Sequence, residues 1–502
     1  MDLSLILQMA ADAGADRVAL SRRSGGLSYA GLRDRAQAAA RWLSGRAAER
    51  TVLVDLNSDA VPILLFGSAL SGRAFAPLNY RLTDAQLQGL VRRTAPAVVV
   101  AGEGVAGRLG EHEGADGIEV VDRDRFLEAT EAEAVEALSE PPDPDGIAVM
   151  LFTSGTTGDP KAAVLRHRHL VSYVISSVEL MGADPDEAAL VSVPPYHIAG
   201  ISAVLTSVYA GRRLVYLPSF DPEAWVSTVA DERITHAMVV PTMLGRILDV
   251  LDRAEDSLPT LRTLSYGGGP MPASVIERAL DRLPHVDFVN AYGLTETSST
   301  IAVLGPEDHR RARASDDPAL RARLSSVGRA LPGVAIEIRG PDGTPVPAGE
   351  RGEICVRGEQ VAGEYAGTSA SGGDGWFPTR DAGRLDADGY LYVEGRLDDV
   401  IVRGGENMSP GEIEGVLVDH AAVADAAVVG LPDAEWGERV VAAVVPADAA
   451  AVTEGELQDW VRGRLRSSRT PERIAIVAEL PYTETGKLLR REVRSQLLGG
   501  EG

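Results

Sequence analysis

Apolar residues recur three and four positions apart through 30–43 (AGLRDRAQAAARWL), a spacing that predicts an amphipathic helix. Short continuous apolar runs, TVLVDL at 51–56 and APAVVVA at 95–101, predict buried strands. Helical spacing returns at 59–70 and 82–92, where Thr83 stands as an N-cap. Residues 148–152, 189–193, 213–217 and 236–240 continue as strands, and 225–232 and 243–253 as helices. Strands alternating with helices imply layered α/β architecture with parallel sheets. From about Val334 the texture changes. Short strands at 334–339, 352–358 and 389–393 are separated by Gly, Pro and Asp turns, which predicts a β-rich subdomain over about 330–395, a distorted β-barrel. After Gly395 comes a short strand, a glycine turn and a helix opened by Ser409 and Pro410. The predicted organisation is α/β: a large N-terminal domain of layered sheets, 1–396, and a small α+β C-terminal domain, 397–502.

Length and composition narrow the function. A chain of 502 residues with 45% hydrophobic and 24% charged residues is neither disordered nor fibrous. A net charge of −24 argues against nucleic acid or an anionic membrane as a partner, though one small basic pocket remains compatible with it. The one cysteine, Cys355, excludes an intrachain disulfide and a cysteine-based zinc site. The first residues lack a basic region and a sufficient apolar run for a secretory signal, and no run of about 20 apolar residues predicts a membrane span. A cytoplasmic protein is expected. Lysine and arginine total 49, yet two positions alone, Lys161 and Lys487, are lysine. Coding bias accounts for the arginine background. The two exceptions need another reason: an ammonium on a flexible stem reaches a phosphate or carboxylate as a point charge.

Lys161 closes the segment LFTSGTTGDPK, 151–161, which follows a predicted strand. Glycines permit close backbone approach, while amides and hydroxyls of Thr153, Ser154, Gly155, Thr156, Thr157 and Gly158 can surround phosphate oxygens and Lys161 adds charge. It is not a P-loop, because GxxxxGK[ST] is absent and no helix start follows the lysine.

This segment resembles the phosphate-binding signature of the adenylate-forming superfamily, which includes acyl-CoA synthetases, adenylation domains and luciferases. The resemblance extends in order through GGGPMP (267–272), NAYGLTE (290–296), TRDAG (379–383), GRLDD (395–399), GGEN (404–407) and TGK (485–487). Both lysines fall where this family is expected to use an ammonium. The resemblance implies an ATP-dependent acyl-CoA synthetase: a carboxylate attacks the α-phosphate of ATP, and CoA then takes the acyl group from the adenylate. Lys487 would reach the carboxylate and α-phosphate, Thr295 would donate to the α-phosphate, and Glu296 would hold Mg²⁺. Tyr292 would face adenine, with Gly268 and Gly269 opposite and Asn290, Ala291 and Gly293 completing the nucleotide motif. Asp381 would accept from the ribose hydroxyls, with Arg396 adding a donor.

The resemblance also implies a mobile C-terminal lid that rotates about Asp398 between the two steps. Gly404, Gly405 and Glu406 would then replace Lys487 and line a pantetheine tunnel, with Trp436 and Arg469 near CoA. The run Arg462, Arg464, Arg466, Arg469 and Arg473 suits CoA phosphates, or is a solvated face paired with acids. His197, in PYHIAG (195–200), resembles the family's gating aromatic. It would line the acyl pocket with Ile198, Val240, Thr242 and Gly267. No cation is evident for a second substrate carboxylate, so a medium or bulky apolar acid is expected. Three departures stand out: Ala162 and Ala163 follow Lys161 in place of glycine, Arg380 replaces glycine in the ribose motif, and Arg469 replaces lysine. Ala162 adds a methyl expected beside the phosphate loop. Transfer to an acyl-carrier protein or another nucleophile, use of preformed acyl-AMP alone, and a silent nucleotide-binding protein stay open as alternatives. A homodimer is one candidate assembly.

Overall fold

The computed structural model describes residues 1–20, 25–110, 117–131, 142–153, 160–254, 257–366, 368–370, 372–404, 406–433, 435–447, 452–482 and 488–499. Ser154 to Gly158, Gly405 and Lys487 therefore lie outside the described residues.

The helical periodicity at 30–43 is realised as Tyr29–Ser44. Ser28 caps it by accepting from the Gly31 amide, and Leu32, Ala36, Ala39 and Leu43 form its buried face. Thr83 caps Asp84–Arg93 in a full capping box with Gln86. Ala60–Leu70 is buried on nearly every side, which suits a helix without a polar stripe held between two sheets.

Those two sheets dominate the first four hundred or so residues. One runs in the order Arg329–Ala330, Ser299–Leu304, Asp287–Leu294, Thr263–Gly267, His236–Val239, Ala188–Val191, Arg213–Tyr216, Val18–Leu20, Leu27–Ser28. Its central neighbours are parallel and its ends antiparallel. The other runs Thr368–Ser369, Glu364–Tyr365, Lys161–Arg166, Ile147–Thr153, Ala74–Pro77, Arg50–Val54, Ala97–Ala101, Ile118–Asp122. One core joins them. Leu53, Val100 and Val149 from one sheet and Leu20, Val191 and Leu214 from the other pack on the helices Leu3–Ala13, Tyr29–Ser44, Ala60–Leu70, His167–Ser177 and Ile198–Ala210.

The β-rich subdomain is an open antiparallel sheet rather than a closed barrel: Ala335–Arg339, Gly352–Arg357, Phe377–Leu385 and Leu391–Arg396 in that order, with no pairing between the two outer strands. A 3-10 turn, Leu397–Asp399, then leads into a five-stranded sheet of Glu406–Met408, Ile401–Arg403, Gly437–Pro446 and Val423–Asp433, with Arg473–Ile476 paired to Gly437–Pro446. Ser409 does precede Pro410–Val418 as its N-cap. Its hydroxyl makes no cap bond and donates instead to the Glu394 carbonyl across the junction. No helix among the described residues is long and apolar enough to cross a membrane.

Candidate active site

The strands on either side of the phosphate-type loop are antiparallel neighbours. Ile147–Thr153 and Lys161–Arg166 pair so that Thr153 stands opposite Lys161, with the Thr153 hydroxyl 3.4 Å from the Lys161 carbonyl. A strand, not a helix, follows the lysine, as the absence of a P-loop motif implied. Ala162 is 5% exposed and packs in the core with Val52, Ala74 and Met150. Its methyl is part of that core.

The second motif lies on Asp287–Leu294 and the turn Thr295–Thr297. Gly267, on the neighbouring parallel strand, stands opposite Ala291, and a Cβ at 267 would sit 2.2 Å from the Ala291 carbonyl oxygen. Close strand approach therefore requires this glycine, independently of any space it leaves for a ligand. Gly268 follows with φ +81°, and a Cβ there would lie 3.5 Å from Val240. The Asn290 amide is committed to the fold, donating to the Ser326 carbonyl at 3.2 Å.

Tyr292, Asp381 and Arg396 form one network. The Tyr292 hydroxyl donates to one Asp381 oxygen at 2.7 Å, and Arg396 donates to the other at 2.9 Å and to the Thr379 carbonyl at 3.0 Å. The Asp381 amide donates to the Thr379 hydroxyl, which donates to the Ile354 carbonyl. Burial, aided by the Asp381 charge, pushes the Tyr292 phenol well up, so it stays a donor. A carboxylate offers about four lone-pair directions, so Asp381 can still accept from a hydroxyl placed against it.

Glu296 is 9% exposed. One oxygen accepts from the Tyr365 hydroxyl at 2.5 Å; the other makes no hydrogen bond among the described residues. No group of three or more His, Cys, Asp or Glu side chains is placed to hold a metal ion among those residues. A single hard oxygen donor fits Mg²⁺, which commonly takes one or two carboxylates and completes its shell with phosphates and water. Thr295 opens the same turn. The sequence reading missed Tyr365, Ser202 and Ser299. The Ser299 hydroxyl lies 3.2 Å from that of Ser202, and both Ser298 and Ser299 hold positive φ, +55° and +99°. Nothing local in the sequence announces these contacts.

His197 precedes Ile198–Ala210, and its ring lies 4.6 Å from that of Tyr196. Burial pushes it down to about 4, so the imidazole is neutral at physiological pH. Val240 is 3% exposed, Ile198 is partly buried and Thr242 is exposed. Burial also lowers His169, 4% exposed, to about 4. For both rings the folded value lies below the ordinary 6.5, so the unfolded chain binds protons that the folded chain does not. Their contribution is present above pH 6.5 and declines as pH falls toward 4, by up to about 1.4 kcal/mol per pH unit for His169. Thermal melts at pH 7 and pH 5 should show lower stability at pH 5 and a shallower dependence in His169→Asn; equal slopes would contradict this.

The C-terminal candidates form a separate group. Gly404, at φ +58°, donates its amide to the Trp436 carbonyl at 2.8 Å, and a Cβ there would meet the Trp436 ring at 2.9 Å. Trp436 is 46% exposed, so it is not a core residue. Much of the basic run is paired: Arg462 with Asp459, Arg469 with Glu412, and Arg464 stacked on Trp460. Glu406 lies 3.8 Å from Arg469. Asp398 pairs with Arg380 at 2.9 Å, and Arg380 holds φ +64°, a conformation that favours the glycine it replaces.

Comparison with known proteins gives a consistent picture. Residues 7–366 match the family model described as AMP-binding enzyme, and 412–487 match AMP-binding enzyme C-terminal domain. A feruloyl-CoA synthase of Amycolatopsis sp is 35% identical over 488 residues, covering 94% of each chain. The fatty acid–[acyl-carrier-protein] ligase ScoC of Streptomyces coeruleorubidus is 32% identical over 461 residues, covering 90% of this chain and 87% of that one. Among solved structures, o-succinylbenzoate CoA synthetase from Bacillus subtilis, in complex with its acyl-adenylate intermediate, superposes with a TM-score of 0.84 at 28% identity over 97% of both chains.

Proposed function

The chain belongs to the AMP-binding enzyme family, the adenylate-forming superfamily, and on that premise we propose that it is an ATP-dependent acyl-CoA synthetase for a medium or bulky apolar carboxylic acid. The observation that carries this reading is a pair of polar clusters built on Asp287–Leu294 and on the turn just past its carboxyl end, Thr295–Thr297. Glu296 stands with Tyr365 and Lys161, and Asp381 stands with Tyr292 and Arg396. Ligands of layered α/β folds bind at such strand ends. The homologous ligases support the reaction class.

In the first step a substrate carboxylate oxygen forms a bond to the α-phosphorus, the bridge to the β-phosphate breaks, and pyrophosphate leaves. Lys161 and the loop hydroxyls hold the outer phosphates, while Thr295 and Lys487 stabilise charge on the α-phosphate. Glu296 would hold Mg²⁺, which when bound would supply positive charge for the phosphates. Tyr292 packs on adenine, and Asp381 with Arg396 fixes the ribose. In the second step the CoA sulfur bonds to the acyl carbon, the acyl–oxygen bond to AMP breaks, and the thiol proton passes to solvent. The C-terminal domain, from residue 397, turns about Asp398 between the steps. Gly404, Gly405 and Glu406 then approach the site beside the exposed Trp436.

The neutral His197 ring, Ile198, Val240 and the Gly267–Gly268 corner favour an apolar acyl group, and the feruloyl-CoA synthase is in keeping with an aromatic one. A second acceptor, the phosphopantetheine of a carrier protein, is favoured by one observation. Arg462, Arg464 and Arg469 are already engaged within their own domain, which leaves fewer cations for CoA phosphates. Incubation with ATP, Mg²⁺, CoA and a panel of acids, with acyl-AMP and acyl-CoA read separately by mass spectrometry, tests both. Acyl-CoA from one apolar class supports the synthetase. Acyl-AMP without thioester moves the acceptor to a carrier protein, and nucleotide binding with neither product overturns the enzymatic reading.

A further inference from the structure

Glu296 is a buried carboxylate on a single 3-10 turn, Thr295–Thr297, an element too short to orient a flexible side chain by itself. A buried charge needs donors to hold it. One run of chain supplies the donor to the carboxylate and also ties the Glu296 backbone. The amides of Ala362 and Gly363 donate to the Glu296 carbonyl at 2.9 and 3.0 Å, and two residues later the Tyr365 hydroxyl donates to its carboxylate at 2.5 Å.

The same run is fastened to the strand that begins with Lys161. Tyr365 pairs with Ala163, the Ala366 amide donates to the Ala162 carbonyl at 2.9 Å, and Glu364 takes a two-pronged contact from Arg166 at 2.7 and 2.9 Å. The Lys161 ammonium lies 5.6 Å from the centre of the Tyr365 ring. One phenol thus touches the carboxylate with its hydroxyl and the cation with its face.

We infer that Tyr365 is a positioning residue that sets Glu296 for a nucleotide-bound divalent cation and holds Lys161 at the spacing that polyphosphate needs. The inference rests on the reading of Glu296 as the magnesium carboxylate. Hydrogen-bond partners of metal ligands fix ligand orientation, and their loss typically costs about 10–100-fold in metal affinity or activity. The Arg166–Glu364 pair is the anchor that makes the run rigid enough to do this, since two parallel contacts define an orientation as well as a distance.

The test is direct binding, free of turnover. Mn²⁺, visible by electron paramagnetic resonance, is titrated into the full chain saturated with the non-hydrolysable analogue α,β-methylene-ATP. Tyr365→Phe keeps the ring and removes the donor. It should weaken Mn²⁺ binding about 10-fold or more and leave analogue affinity in EDTA unchanged. Tyr365→Leu also removes the face beneath Lys161, and should lower analogue affinity in EDTA as well. A structural role alone would lower the melting temperature without this split. Should Tyr365→Phe melt early, Glu364→Gln loosens the anchor without touching the carboxylate and should weaken Mn²⁺ in the same direction. Mn²⁺ affinity in Tyr365→Phe within twofold of wild type would overturn the inference. Wild type that binds the analogue equally with and without Mn²⁺ would instead overturn the reading of Glu296, and the inference with it.

Discussion

Replacing Lys487 with alanine should abolish acyl-AMP formation from free acid and ATP while leaving acyl-CoA formation from supplied acyl-AMP within a few-fold of wild type. An ammonium that meets both the attacking carboxylate and the α-phosphate stabilises charge present in the first transition state alone. Loss of one such contact typically costs about 10²–10³ in rate, and a group that also steers the nucleophile should cost at least that much. The arginine-rich background sharpens the expectation. A chain that writes arginine almost everywhere else has written lysine here, and the compact ammonium differs from guanidinium in shape and hydration. Lys487→Arg should therefore rescue poorly. Bulk on the opposite loop, Gly405→Leu, should do the converse, sparing adenylation and blocking thioester formation. Equal loss of both half-reactions in Lys487→Ala would contradict the domain rotation. The two half-reactions are measured separately by mass spectrometry.

Asp381→Ala should lower both stability and adenylation. The Asp381 side chain is 8% exposed and balances Arg396 and the Tyr292 hydroxyl, so its removal strands two donors. Breaking a buried ion pair costs about 3–5 kcal/mol. The Arg396 side chain is 31% exposed and can recruit water, so about 2 kcal/mol is expected here after discounting for solvent screening. Tyr292→Phe, which strands only part of one carboxylate, should cost about 1 kcal/mol. The catalytic signature separates the ribose role from simple support of the fold. Asp381→Ala should raise the KM for ATP more than the KM for the acid, whereas a merely structural loss would scale kcat without that difference. Thermal melts and steady-state kinetics over both substrates check the two effects.

The elements legible in the sequence are those governed by near neighbours. Helix 30–43 is found almost as predicted because its apolar spacing and its Ser28 cap are local. Thr83 is found as a cap for the same reason. The barrel expectation fails to close because strand periodicity specifies strands and turns, while closure requires the two edge strands to meet, and Ala335–Arg339 and Leu391–Arg396 do not pair. The sequence left the Arg462–Arg473 run open between CoA phosphates and a solvated face paired with acids; in the structure Arg462 pairs locally with Asp459, a contact the spacing could suggest, while Arg469 pairs with Glu412, 57 residues away, a contact it could not.

The sequence by itself determined the chemistry available: a hydroxyl- and glycine-rich loop ending in Lys161, the acid Glu296, the pair Asp381 and Arg396, and a second lysine near the end. Residue type and order fix which groups are present, and the resemblance to the adenylate-forming superfamily is what implies their roles. Only the tertiary structure decided which way each group faces and what holds it. Ala162 turns its methyl into the core, Asn290 spends its amide on Ser326, and Tyr365 reaches Glu296 across 69 residues of chain. Burial explains the division: a polar group removed from water must find a partner wherever the packed layers place one, and strand pairing between distant segments sets that place.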